Sequence, residues 1–344
     1  MKKIVLVIKD AYSYAGTENI CNFMSECLGD AHQVTVYSLE GSGQPFYPFE
    51  KVKEIVSFAG VKNPIRSAVQ RINQEGFDAV FLISMGRLSV MFALYSLLAR
   101  KKKTSKAYAC EHIAINSFGK PIKFLKYLFL RYYDRVIVLT DKDRSVFTRW
   151  GIASQTIPNP VVYKNHQRSV RHRQALAVGR LDHQKGFDLL LDVWQGFAAT
   201  NPDWKLVIAG DGELKSELLA KAATLKITDS VNFVGKVSNI NDYYRDSDMA
   251  LMTSRYEGLP LVLLEAKSWA LPVVAYDCPT GPQEIINDSQ DGFLVAMNDR
   301  TAFIEKMNQL AHNDALFFAM SAKTVETSLK FDGKVIKESW LSLV

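Results

Sequence analysis

The chain has 344 residues, 48% hydrophobic and 23% charged, which excludes a disordered polymer and leaves room for two ordinary domains. Its net charge of +6 hides an uneven split: residues 1–164 carry 23 Lys and Arg against 13 Asp and Glu, while 165–344 carry 19 against 23. The basic first half points either to an anionic partner (nucleic acid, an anionic membrane surface or a phosphate-bearing acceptor) or to ordinary surface charge.

In chain order, the first apolar run is residues 3–8, KIVLVI, closed by Lys9. It is too short for a secretory h-region and no small-residue cleavage site follows, so it reads as a buried strand of a chain that is not exported. Further strands are predicted at 33–37, 78–83 and 135–139, their near-continuous apolar character being that of parallel strands covered on both faces. Helical stretches at 17–28, 65–74 and 141–150 lie between them, so the first half predicts a doubly wound α/β sheet. The longest apolar run, 88–99, has twelve residues and falls short of the ~20 that span a bilayer. The four cysteines, Cys21, Cys27, Cys110 and Cys278, have no CxxC or Cys/His metal spacing and read as free thiols in a reducing cytosol.

Residues 119–134, GKPIKFLKYLFLRYYD, form an apolar helical stretch with Lys120, Lys123, Lys126 and Arg131. Arg100, Lys101, Lys102, Lys103 and Lys106 precede it. Two readings stand side by side. Ile122, Leu125, Phe129 and Tyr132 pack on the sheet with the lysines solvated, or the helix lies at a bilayer interface with its cations snorkelling.

After Ile157-Pro158-Asn159-Pro160 the periodicity stops, and the polar stretch 163–174 reads as an interdomain linker. A second βα series follows, with strands at 175–178, 205–209, 231–234, 249–252 and 272–275 and helices at 186–199, 213–225, 259–270 and 301–312.

Two segments of this second half carry chemistry. Residues 254–266, SRYEGLPLVLLEA, run from a strand end through a glycine turn into a helix, with Pro260 near its first turn. The first N–H groups of such a helix lack intrahelical acceptors and sit at the positive end of its dipole, a natural phosphate site. Gly258 would allow close backbone approach. Glu257 on the loop and Glu265 over a turn inside the helix would offer acceptors to sugar hydroxyls on either side of a diphosphate. Alternatively Glu257 caps the helix and Glu265 is solvated. Residues 178–187, VGRLDHQKGF, follow the first strand of this half, at the carboxyl edge where open α/β sheets bind ligands. There Arg180 offers a rigid fork and Lys185 a mobile charge for diphosphate oxygens, unless Arg180 merely pairs with Asp182. The Asp246-Ser247-Asp248 triplet has the form of a metal-binding D-x-D, but it ends a helix and reads as a helix-terminal loop.

The combination GRL-x3-KGFDLLL, IAGDGE, NFVGKV and EGLPLVLLEA resembles the retaining glycosyltransferases of family four, with their E-x7-E spacing and GT-B architecture. The match covers nearly all of the second half. The first half resembles the family more loosely, through Ala15-Gly16-Thr17-Glu18, Cys110-Glu111-His112 and the IPNP stretch. Where the family's first loop has two glycines this chain has Ala15 and Gly16, so only Gly16 is carried over. The resemblance implies two Rossmann-like domains facing each other across a cleft. An acceptor-binding domain comprises 1–164 plus a C-terminal helix at 329–344, and a donor-binding domain comprises 165–328. Closure would assemble the site. It further implies that Arg180 and Lys185 hold the donor diphosphate, Glu265 the ribose, and Glu257 the sugar–phosphate region. Backbone at Gly258 and Leu259 supports both, the backbone of Val234 or Lys236 reads the base, and His112 faces the donor sugar at the reaction centre.

On this footing the chain transfers a hexose with retention from a nucleotide-sugar to a glycan or lipid-diphosphate-linked acceptor in surface polysaccharide assembly. No metal or other cofactor is expected, because fixed cations and helix N–H groups neutralise the departing diphosphate. The stretch 278–286, CPTGPQEII, resembles relatives that use UDP-hexoses. The expected location is cytoplasmic, with peripheral contact at the inner face of the membrane and no nucleic-acid partner. Rival readings are a nucleotide-sugar epimerase or hydrolase on the same scaffold and a non-catalytic sugar-nucleotide-binding module.

Overall fold

The computed structural model describes every residue except 14–15, 100–104, 165 and 167. Ala15 and the basic run of Arg100 to Lys103 therefore lie outside the described residues, as do two positions of the linker. The chain divides into two compact units, Met1–Pro160 with Lys334–Val344, and Val161–Gly333. The division falls at 160/161, four residues before the position read from the linker. Val161 already belongs to the second unit, because its N–H bonds to the Phe331 carbonyl at 2.8 Å and its own carbonyl accepts from Gly333.

The first unit is built on strands β1 (Lys3–Asp10), β2 (Gln33–Glu40), β3 (Val52–Ser57), β4 (Ala79–Ser84), β5 (Lys106–Glu111), β6 (Arg135–Val138) and β7 (Ser154–Thr156). They form one parallel sheet in the order β3-β2-β1-β4-β5-β6-β7. Helices α1 (Gly16–Gly29), α2 (Pro64–Glu75), α3 (Leu88–Leu98), α4 (Lys120–Phe129) and α5 (Asp141–Arg149) connect them. Side chains alternate across a strand, and here both faces are apolar. Val5, Val7, Val80 and Leu82 enter one core layer with Val69 and Ile72 of α2 and Phe92 of α3. Ile4, Leu6, Ile8, Phe81 and Ile83 enter the other with Ile20 and Met24 of α1.

The second unit has strands β8 (Gln174–Val178), β9 (Lys205–Ala209), β10 (Val231–Gly235), β11 (Met249–Met252), β12 (Val273–Tyr276) and β13 (Gly292–Val295), parallel in the order β10-β9-β8-β11-β12-β13. Its helices are α6 (Phe187–Ala198), α7 (Lys215–Thr224), α8 (Ile240–Arg245), α9 (Leu261–Ser268), α10 (Pro282–Ile285), α11 (Arg300–His312) and α12 (Asp314–Ser328). The last helix, α13 (Gly333–Leu341), returns Ile336 and Trp340 to the second core layer of the first unit, where the Trp340 ring meets Phe81 edge-on.

Each sheet reverses its strand order once, between β1 and β4 in the first and between β8 and β11 in the second. At such a switch point the loops leaving two neighbouring strands diverge to opposite faces and open a crevice at the carboxyl ends.

Two readings of the sequence need correction. The helix after β11 begins at Leu261 and not at 259, with Pro260 as its N-cap. In α4, Leu125 is not core: it is exposed together with Phe124, Tyr127 and Leu128, whereas Lys126 is fully buried. The reason is electrostatic. The Lys126 ammonium pairs at 2.5 Å with Glu111, whose other oxygen accepts from Ser89, and this buried pair fixes the rotation of the helix. The D-x-D triplet also has structural partners. Buried Asp248 accepts from the N–H groups of His172 and Arg173 and pairs with Arg171, while Asp246 pairs with Arg245.

Trp340→Ala removes a buried ring from a shared core and should cost about 3–5 kcal/mol. The check is a shift of the first unit's urea transition to lower denaturant while the second unit's transition stays in place.

Candidate functional site

The switch point of the second sheet gathers most of the residues singled out from sequence. The β8–α6 loop, 179–186, and the β11–α9 loop, 253–260, leave adjacent strands and are bound to each other along their length. Arg255 N–H donates to the Gln184 carbonyl at 2.8 Å, Gln184 Nε2 to the Tyr256 carbonyl at 3.0 Å, and Thr253 Oγ1 to the Gly186 carbonyl at 2.8 Å. The Arg255 guanidinium grips Asp188 in α6 with two bonds of 2.9 and 2.6 Å, and this pairing holds the Asp188 carboxyl below its usual pKa.

Gly186 makes this approach possible. It has a left-handed φ of 65°, and a Cβ there would fall on the Thr253 carbonyl oxygen. Gly210 in the loop after β9 (φ 146°) is pressed in the same way against the Gly179 carbonyl, so a third loop joins the edge. From the far side, Thr280 Oγ1 donates to the Glu257 carbonyl. Gly281, at φ 97°, comes so close that a Cβ would lie 2.6 Å from the Gly258 oxygen. Helix α9 is itself anchored by the buried Lys267–Asp291 pair at 2.9 Å. The turn at Glu257-Gly258-Leu259 is thus fixed from three directions.

On this frame Lys185 Nζ donates to Glu257 Oε1 at 2.7 Å, so the two residues predicted separately are direct partners. Glu257 is buried and Lys185 half-buried. The pair is mutually oriented at the start of α9, where the N–H groups of Leu261 and Val262 lack intrahelical acceptors. Arg180 extends from the end of β8 with its side chain 76% exposed, and the nearest approach of Asp182 is 3.8 Å. So exposed and distant a pair is weak and leaves the fork available to another anion. Glu265 is neither solvated nor free. It accepts from the buried Tyr244 hydroxyl at 2.8 Å, and burial raises its carboxyl pKa, partly offset by that bond. At the edge strand β10 the register shifts between Phe233 and Gly235, leaving Val234 opposite no residue of β9, with Lys236 exposed beyond it. Such a bulge re-aims the backbone outward.

Gly16 and His112 lie in the first unit. Gly16 opens α1 after β1 and is exposed; His112 follows β5, with its N–H bonded to the Ser84 carbonyl at 3.0 Å. Both imidazole nitrogens of His112 are buried, with no hydrogen-bond partner among the described residues. Burial lowers its pKa from 6.5 to about 4, so the ring is neutral at physiological pH and can both donate and accept.

Sequence reasoning missed the Arg255–Asp188 clamp, Thr253 and the buried hydroxyl of Ser254, which has no partner among the described residues. The only signal was their position at strand ends beside motif residues. Among the described residues no three His, Cys, Asp or Glu side chains are grouped as a metal ion would need.

The family described as "Glycosyl transferases group 1" matches residues 163–327. The chain is 34% identical to the amylovoran biosynthesis glycosyltransferase AmsD of Erwinia amylovora, over 99% of each chain. It is 26% identical to an α-1,4-N-acetyl-D-galactosaminyltransferase of Campylobacter jejuni named for an undecaprenol-diphosphate-linked glycan, covering 100% of this chain and 98% of that one. Among solved structures, Anabaena HepE in complex with UDP-glucose superimposes with a TM-score of 0.81 at 17% identity, covering 100% of this chain and 99% of that one.

Two predictions follow from this geometry. Gly186→Ala should cost about 1–3 kcal/mol, seen as an earlier urea transition of the second unit, because the new methyl group drives the two loops apart. Below pH 6.5 the unfolded chain takes up a proton on His112 that the folded chain refuses until about pH 4. Stability from the neutral ring is therefore complete above pH 6.5 and is lost as pH falls towards 4. His112→Gln should flatten this part of the stability–pH curve; equal slopes in the two proteins would contradict the assignment.

Proposed function

The chain belongs to the glycosyl transferases of group 1, with the GT-B fold, and we propose that it moves a hexose from a UDP-sugar to a lipid-diphosphate-linked glycan with retention. The observation that carries the donor half is the oriented Lys185–Glu257 pair beside Arg180, at the start of α9 and on the sheet's switch point.

When the bond from the sugar to the β-phosphate breaks, negative charge develops on the departing diphosphate. Arg180, Lys185 and the first N–H groups of α9 stabilise that charge without reorganising, because the loops that carry them are already bound together. Glu257 orients Lys185 and accepts from sugar hydroxyls. Glu265, held by Tyr244, takes the ribose hydroxyls, and the free backbone edge at Val234 and Lys236 takes the base. The neutral His112 ring hydrogen-bonds the sugar being transferred. The acceptor hydroxyl attacks from the face the diphosphate leaves, and its proton passes to a phosphate oxygen. This route gives retention with no metal ion or covalent enzyme intermediate.

Two supports favour UDP and a lipid-linked acceptor. HepE was solved with UDP-glucose, and the Campylobacter relative is named for an undecaprenol-diphosphate glycan. In the first unit, a cavity of about 430 Å³ at the carboxyl ends of β1 and β4 suits an acceptor sugar, with apolar walls from Ile8, Ile83 and Met91 and carboxylates from Glu18 and Glu40.

The test is sugar transfer and UDP release across UDP-hexoses with EDTA present, using a short-chain isoprenyl-diphosphate glycan as acceptor. Transfer should persist in EDTA, and Arg180→Ala or Lys185→Ala should each lower kcat by about 10²–10³. Activity abolished by EDTA and restored by a divalent ion would overturn the metal-free mechanism. UDP release indifferent to acceptor would instead identify a hydrolase.

A further inference from the structure

Helix α4 carries an apolar face that its own unit does not cover. Phe124 is 60% exposed, Leu128 46%, Leu125 41% and Tyr127 39%. At 100° per residue, Phe124 and Leu128 form the centre of this face, Leu125 and Tyr127 its sides, and Lys120 and Arg131 its two ends. Leu97 and Leu98 at the end of α3, a helix packed against α4, are also exposed. The arrangement is not a loosely packed core helix. The Lys126–Glu111 pair, buried at 2.5 Å, points inward and fixes the rotation, so the apolar residues stay turned out.

The charge around the patch identifies what covers it. Between His112 and Tyr133 there is no carboxylate, and besides the buried, paired Lys126 there are three cations, Lys120, Lys123 and Arg131. Arg131 lies over the Tyr127 ring at 4.0 Å, which keeps a cation at the rim of the patch. A second copy would bring one basic rim against another. Nucleic acid would meet phenylalanine and leucine where phosphates need cations. An anionic bilayer satisfies both features, with apolar side chains entering the acyl boundary and cations remaining among the headgroups. No described helix is long and apolar enough to cross a membrane, so the contact lies in the interface plane.

We infer that the outer face of α4, centred on Phe124 and Leu128, docks this protein on anionic lipid bilayers. The inference stands apart from the donor chemistry, since none of its residues is assigned to the reaction.

Sedimentation of the full chain with vesicles of phosphatidylglycerol and phosphatidylcholine tests it. The wild-type chain should bind and should lose affinity with falling phosphatidylglycerol or rising salt. Phe124→Ser with Leu128→Ser should weaken binding roughly tenfold or more, and Lys120→Glu with Lys123→Glu should do so in a salt-dependent way. Both double variants should keep wild-type thermal unfolding and wild-type turnover on a water-soluble acceptor, which separates failure of docking from failure of the proposed chemistry. The inference is overturned if the wild-type chain ignores anionic vesicles, if the serine variant binds as well as wild type, or if the same substitutions instead abolish a dimer in solution.

Discussion

The second unit depends on the close approach of two loops at the ends of β8 and β11. Gly186 lets the first loop lie against the Thr253 carbonyl, and Arg255 holds the first turn of α6 through Asp188. Everything cationic in the site is hung on that junction. Lys185 precedes the glycine by one residue, and its partner Glu257 lies two residues beyond Arg255. A lysine on a free loop would spend entropy when it met a phosphate. Here the ordering has been done by backbone hydrogen bonds and a bidentate ion pair, so the stabilisation proposed for the departing diphosphate needs no rearrangement.

The parallel sheets explain why the junction sits where it does. Strands buried on both faces expose chemistry only at their ends, and the carboxyl ends of β8 and β11 are neighbours because strand order reverses between them. Glycine contacts then close the remaining space. Gly210 presses on Gly179 and Gly281 on Gly258, each at a positive φ that a larger residue would resist. The Cys278–Gly281 stretch, which in the sequence resembles a marker of the donor nucleotide, serves here as a buttress for the turn that follows Glu257.

The first unit uses buried charge differently. Lys126 and Glu111 lie out of water, and removing either partner would leave the other uncompensated. An apolar pair would pack as well without fixing rotation so firmly. The ion pair orients α4 and also joins that helix to the residue immediately before His112, whose ring nitrogens have no hydrogen-bond partner among the described residues.

Much of this was legible in the amino-acid sequence. The strands at 205–209 and 249–252 fall on the observed bounds, because continuous apolar runs closed by turns have few alternatives. The phosphate-suited segments were legible too, since Gly, Pro, Arg, Lys and Glu at strand ends have specific conformational and electrostatic meanings. Strand β3 was not legible: it is a half-exposed edge whose VKEIVS pattern lacks a buried run. Nor was β7, with three polar residues. The sequence by itself determined the parallel α/β class and the residue types of the proposed donor site. Only tertiary structure decided that Lys185 meets Glu257, that Tyr244 holds Glu265, and that α4 turns its lysine inward and its phenylalanine out. Those outcomes depend on contacts between residues distant in the chain, up to 72 positions apart for the lysine–glutamate pair, and local periodicity carries no record of them.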